Sequence, residues 1–172
     1  MELGARDDYG PRRIVCLTEE TTEWLYLLGQ EDRIVGISGY TVRPRRARQE
    51  KPKVSGFSSA KIDRILAVEP DLVLAFSDLQ GEIARDLVRA GVAVHVFNQR
   101  SVDGILAMVE TVGRLVGAEA RALALVAGLE ADIAAARAAG EARIARLGRR
   151  PRVYFEEWND PLISGIRWVS EL

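Results

Sequence analysis

The sequence predicts an α/β protein built on a parallel sheet covered by helices, and three observations carry that prediction. Short Val/Ile/Leu runs alternate with segments of helical period as far as residue 117. The run 71–75 is apolar at every position after its aspartate, as in a strand buried on both faces. Each run also ends in an aromatic residue or a short polar cluster: Thr18-Glu19-Glu20, Tyr40, Phe76-Ser77-Asp78 and Phe97-Asn98. In an open α/β sheet the ligand sits outside the carboxyl ends of the strands, so these clusters point to a small-molecule cleft. The expected organisation is a tail at 1–12, a Rossmann-like ligand-binding lobe at 13–117, a long helix at 118–148, and the start of a second α/β lobe at 149–172.

The elements follow in order. A first strand at 13–17 leads to Thr18, which can cap a helix whose first turn holds Glu19 and Glu20, where the helix dipole favours acids. Thr21, Trp24, Leu25 and Leu28 share one face, and Gly29 supplies the stop. A second strand at 33–37 opens a loop from Ser38 to about Lys53, long enough to be functional or mobile. Ser58 or Ser59 opens a short helix through Ile62, Ile65 and Leu66, which breaks before Pro70. After the strand 71–75, a helix from about Gln80 turns Ile83, Leu87 and Val88 inward and stops at Gly91. A strand at 92–96 and a helix marked by Val102, Ile105, Val109, Val112 and Val116 complete the lobe.

From Glu119 to Leu147 the composition becomes Ala-rich, and Leu125, Leu129, Ile133, Ala136, Gly140, Ile144 and Leu147 keep a helical period. One helix of roughly 40 Å is expected at 1.5 Å per residue. A lone coiled coil is disfavoured, because the stripe is poor in large side chains and the run contains Gly128 and Gly140. Arg149-Arg150-Pro151 ends it. A strand at 152–156, a short second one at 163–165 and the opening turn of a helix at 168–172 then read as a lobe that has only begun. A strand starting a sheet without partners leaves backbone groups unpaired, so the chain is expected to be cut shortly after the second lobe starts.

Among the 172 residues, 24 Lys and Arg nearly cancel 25 Asp and Glu, which removes the overall basic field of a dedicated nucleic-acid binder. No stretch approaches the length of a membrane span, so the protein is not expected to be membrane-embedded. Acids at Glu2, Asp7 and Asp8 stand where a signal peptide needs a basic start. The chain as written is therefore expected to be cytoplasmic, or periplasmic if an export signal lies upstream. Cys16, the only cysteine, is expected to be a small buried strand residue.

Catalytic constellations are poor, and no catalytic residue is assigned. The single histidine, His95, lies in an apolar run and has too few partners for a metal site. Neither common glycine-rich phosphate cradle follows a strand, and no Gly-x-Ser-x-Gly elbow occurs. Glu19 with Glu20, and Glu156 with Glu157, are adjacent carboxylates, but neighbours in sequence point apart. The basic loop of Arg43, Arg45, Arg46, Arg48, Lys51 and Lys53 lacks interleaved aromatics and reads as a solvated loop. The sharper signal is the set Tyr40, Phe57, Phe76, Phe97 and Trp158: four at or just past strand ends and one in a nearby turn.

Thr22-Glu23, Leu28-Gly29, the run 33–37, Tyr40, Pro44, the segment 62–66 and Glu69-Pro70-Asp71-Leu72-Val73 resemble, in this order, the helical-backbone substrate-binding proteins of ABC importers. The resemblance spans residues 13–172 and is nearest to cobalamin-binding members through Tyr40 and the stretch 154–158. It implies two α/β lobes joined by one rigid helix, with a transported corrinoid, cobalamin, held between them and no covalent cofactor. It places Tyr40, Phe57 and Phe76 on one wall of that cleft and Trp158 on the other. A broad, flat, amphipathic corrinoid suits aromatic faces better than a charged clamp. The resemblance further implies that Asp63 docks on arginines of the importer's permease; the alternative is a carboxylate favoured near a helix start. The matching acid of the second lobe would lie beyond Leu172, and a monomer is expected.

The expected function is capture of a corrinoid and its delivery to the permease, without enzymatic chemistry. The alternatives are a haem or iron-siderophore binder of the same class, or a cytoplasmic corrinoid scavenger or sensor. A nucleotide-binding enzyme, drawn from the α/β alternation alone, is opposed by the missing glycine-rich loop.

Overall fold

The computed structural model describes residues 10–164. The beginning of the tail, the last residue of the expected strand 163–165, and the expected helical turn at 168–172 lie outside them. Five parallel strands form one sheet in the order β3-β2-β1-β4-β5: β1 (Ile14–Cys16), β2 (Ile34–Ser38), β3 (Lys53–Ser55), β4 (Leu72–Phe76) and β5 (Ala93–Phe97).

The alternation of side chains along each strand divides the core between two faces. Ile14, Cys16, Leu72 and Leu74 pack on one face with α1 (Glu19–Leu27), α5 (Val102–Leu115) and the start of α6 (Glu119–Leu147). Val15, Leu17, Val73 and Ala75 pack on the other with α3 (Ile62–Leu66) and α4 (Gly81–Arg89). Both faces are covered, which is why these strands show no polar alternation. Gly36 in β2 lets the layers close: a Cβ there would stand 3.0 Å from the Val54 methyls and 3.2 Å from Val15.

Several local expectations are corrected. The segment after Ser38 is an ordered connection containing α2 (Ala47–Glu50) and the edge strand β3. Three of its four arginines are tied down. Arg43 pairs with Glu23 at 3.2 Å, Arg46 pairs with Glu31 at 2.8 Å and lies over the Tyr26 ring, and Arg48 donates to the Gly39 and Thr41 carbonyls. The helix expected from Ser58 or Ser59 starts at Ile62, because Ser55 and Ala60 form an antiparallel bridge that holds the preceding turn extended. Thr18 stands at the N-cap of α1 without a side-chain capping bond; the Thr21 and Thr22 hydroxyls instead donate back to its carbonyl.

The long helix matches its expected bounds, Glu119–Leu147, and ends at Gly148 with φ +67°. Its first turns dock on α5, where Ala122 and Val126 are buried. A Cβ on Gly113 of α5 would run into Ala122, so this helix pair approaches as closely as glycine allows. Beyond Val126 the stripe is covered poorly: Leu129, Ile133 and Ile144 are half-buried, and Ala136, Gly140 and Leu147 are exposed.

The strand expected at 152–156 does not form. Val153 and Tyr154 are exposed, and no strand pairs with this segment among the described residues. Extended chain without a neighbour has no ladder to join. What forms is a two-residue hairpin, β6 (Trp158–Asn159) against β7 (Leu162–Ile163), closed by the Glu157 amide donating to the Ile163 carbonyl at 2.9 Å.

Candidate functional site

The strand order makes one crevice unavoidable. From β1 the chain builds outward through β2 and β3, then returns to add β4 and β5 on the opposite side, so the connections leaving β1 and β4 diverge. That divergence is the switch point of an open α/β sheet, where the loops part and leave a cavity. A cleft of about 440 Å³ lies there. Thr18, Glu19 and Glu20 enter it after β1; Phe76, Ser77 and Leu79 after β4; Gln99 and Arg100 after β5. Phe57 and Ile105 complete the lobe's wall, and Glu157 reaches the cleft from the segment after the long helix.

Gln80 holds this wall together. Its side chain is fully buried and bonds three separate loops. Its carbonyl accepts from the Phe76 amide at 2.9 Å, while its amide nitrogen donates to the carbonyls of Leu17 at 3.2 Å and Phe57 at 2.7 Å. The two cleft aromatics are therefore placed by one buried amide with both ends satisfied. Next to it, Ser77 sits at φ 60°, ψ 176°, a region that residues with a Cβ rarely enter. Its amide donates to the Phe97 carbonyl at 2.7 Å and its hydroxyl accepts from Leu79, contacts that hold the strained backbone at the cleft floor.

The polar part of the cleft rests on Glu20 and Gln99. The Gln99 amide nitrogen donates to Glu20 Oε1 at 3.0 Å, and its own Oε1 is buried with no donor among the described residues. Burial pushes the Glu20 carboxyl above the usual range, and neighbouring Glu19 adds to the effect; the Gln99 bond and Arg100 oppose it. The Arg100 guanidinium lies over the Phe76 ring at 4.9 Å and 3.8 Å from Asp78, so part of its charge is already engaged.

Of the residues singled out in the sequence, Phe57 and Phe76 come together in this cleft, both half-buried. Tyr40 stands outside it, 65% exposed beyond β2. Trp158 is 61% exposed in β6, with its indole N–H donated to the Asp160 carbonyl at 2.8 Å, while its neighbour Glu157 is the one that lines the cleft. Asp63 is exposed in the first turn of α3, flanked by the exposed Lys61 and Arg64. Phe97 is buried, with its ring 4.3 Å from that of His95, whose pKa burial lowers. Cys16 is buried in β1, and desolvation pushes its thiol up to about 11. No group of His, Cys, Asp or Glu suited to a metal ion occurs among the described residues, and no helix there is long and apolar enough to cross a membrane.

Sequence reasoning missed Gln80, Gln99 and Arg100, and it named Ser77 only as part of a strand-end cluster, without its strained backbone. Gln80 meets Leu17 across 63 positions and Gln99 meets Glu20 across 79, distances at which no local pattern speaks. Glu20 was within reach, since it belongs to the polar cluster that ends the first strand.

The chain and its fold have counterparts among known proteins. The sequence profile of the periplasmic binding protein family matches residues 14–172. A cobalamin-binding protein of Halobacterium salinarum is 31% identical over 150 residues, 86% of this chain and 40% of that protein. The periplasmic haem-binding protein RhuT of Roseiflexus superposes with a TM-score of 0.70 at 27% identity, over 77% of this chain and 51% of that one. The periplasmic vitamin B12 binding protein BtuF of Vibrio cholerae superposes with a TM-score of 0.73 over 90% of this chain and 59% of that one; at 20% identity it bears on the fold alone. The chain spans about 40% of the length of the curated relative it matches over most of its own residues. On the match of its sequence over residues 14–172, the chain belongs to the periplasmic binding protein family.

Proposed function

We propose that this chain is the first lobe, the connecting helix and the entry to the second lobe of a substrate-binding protein that captures a corrinoid, cobalamin, for an ABC importer, and is not an enzyme. The observation that carries the reading is the cleft at the switch point, where Phe57 and Phe76 stand half-buried around about 440 Å³ on the carboxyl side of the sheet. Flat aromatic faces with a few placed polar groups suit a broad amphipathic chelate. The likeness to a named cobalamin-binding protein supports the same ligand. In this reading the segment carrying Glu157 and Trp158 belongs to the opposite jaw. Tyr40 joins the ligand surface only as the jaws close, Asp63 meets the permease, and the protein works as a monomer outside the cytoplasm.

The test is a titration of the full-length gene product with cyanocobalamin, haem and a ferric siderophore, followed by the absorbance of each. Cyanocobalamin is expected to bind tightest, and Phe76→Ala to weaken it about tenfold, as loss of a buried aromatic anchor does. Tight binding of haem or the siderophore with none of cyanocobalamin contradicts the assignment.

A further inference from the structure

The charges around the cleft are unbalanced. Glu19, Glu20 and Glu157 line it against one cation, Arg100, which already lies against the Phe76 face and near Asp78. The polar pair in the cleft also has acceptor capacity to spare. The Glu20 carboxylate takes one bond from Gln99, and Gln99 Oε1 has no donor among the described residues. A ligand that brings N–H donors completes this set, whereas one that brings carboxylates meets like charge in a partly dry site, where repulsion is strong.

We propose that the cleft selects uncharged, donor-rich chelates against anionic ones of the same shape, and that Glu20, held by Gln99, is the residue that makes the selection. The proposal refines the corrinoid reading and rests on it for the nature of the ligand. The periphery of a corrinoid carries primary carboxamides, each with two N–H donors. Haem presents two propionates, and many ferric siderophore complexes are net anions. Specificity of this kind needs a repulsive element as well as an attractive one, and the Glu20 carboxylate, with acceptor capacity left after its one bond from Gln99, supplies both. Glu20 is the most restrained of the three acids: it is half-buried and hydrogen-bonded, whereas Glu19 and Glu157 are exposed.

The experiment uses two matched ligand pairs on the full-length gene product: cyanocobalamin against its monocarboxylate, formed by hydrolysing one peripheral amide, and haem against haem dimethyl ester. Affinities are compared for the native protein, for Glu20→Gln, and for Glu130→Gln on the exposed helix as a control. One like charge at close range in such a site weakens binding by about tenfold. The uncharged member is expected to bind about tenfold tighter in whichever pair binds, the gap closing to about threefold or less in Glu20→Gln and staying unchanged in Glu130→Gln. Equal or tighter binding of the anionic member overturns the proposal, as does a gap that Glu20→Gln leaves intact. If neither corrinoid binds while the porphyrin pair shows the gap, the corrinoid reading fails and the selection stands. If cyanocobalamin binds with no gap, the reverse holds. Binding of neither pair overturns both.

Discussion

Between β1 and α5, most apolar side chains of the strands find partners on one of two covered sheet faces, Val96 at the edge strand β5 being an exception; beyond Val126 on the long helix, none is fully buried among the described residues. The two regions are stabilised by different physics. In the lobe, burial on both faces is reinforced by a buried amide that ties Leu17, Phe57 and Phe76 together. In the arm, backbone hydrogen bonds and helix propensity act almost alone after the first turns, supported by the contact of Gly113 with Ala122. The lobe thus carries most of the cleft lining, and among the described residues the arm packs on it mainly through its first turns. The difference teaches where mutations matter: changes behind the cleft propagate through packing, and changes along the arm stay local.

The largest effect is expected behind the cleft. Gln80→Leu keeps the volume but strands the Leu17 and Phe57 carbonyls and the Phe76 amide without partners. Each buried orphan costs about 1–3 kcal/mol, so a total near 3 kcal/mol is expected in urea unfolding. A loss below about 1 kcal/mol would mean that the cleft loops do not depend on this amide, and would erase the contrast. At the hinge between the regions, Gly113→Ala forces a methyl against Ala122. The overpacking outweighs the roughly 1 kcal/mol gained in helix propensity and leaves a net loss of about 1 kcal/mol. The signature to look for is faster hydrogen exchange in the first turns of α6 while the β1 and β4 amides stay protected. The smallest effect belongs to the arm. Gly140→Ala, with nothing within 4 Å of the added methyl, is expected to gain about 0.5–1 kcal/mol of helix stability. Circular dichroism would register it as added helicity, with the unfolding midpoint of the lobe unmoved; a shifted midpoint would show that the two regions melt as one.

The same contrast explains what the sequence revealed. The long helix was legible because a helical period is sustained from Glu119 to Leu147; its stop was read at Arg149-Arg150-Pro151, whereas the chain leaves the helix at Gly148 with φ +67°. Four of the five strands of the main sheet were legible as apolar runs. β3 was not: Lys53-Val54-Ser55 offers one apolar residue, and only its edge pairing with β2 makes it a strand. The strand expected at 152–156 failed for the opposite reason, since its apolar and aromatic residues have strand propensity but no neighbouring strand to pair with among the described residues. In the cleft, the aromatics Phe57 and Phe76 were visible because strand-end position and ring chemistry are local properties. Gln80 and Gln99 were invisible, because an amide in a loop acquires a role only when the topology delivers its partners.

The central claim is that the ligand sits at the switch point, against the loops following β1, β4 and β5. Hydrogen exchange of the full-length gene product with and without cyanocobalamin tests it most directly. The account predicts added protection at residues 18–20, 57–58, 76–80 and 98–100, with the exposed stretch 130–147 of the long helix unchanged. Protection confined to the opposite edge around β3 and α3, with the switch-point loops exchanging as in the free protein, would contradict it.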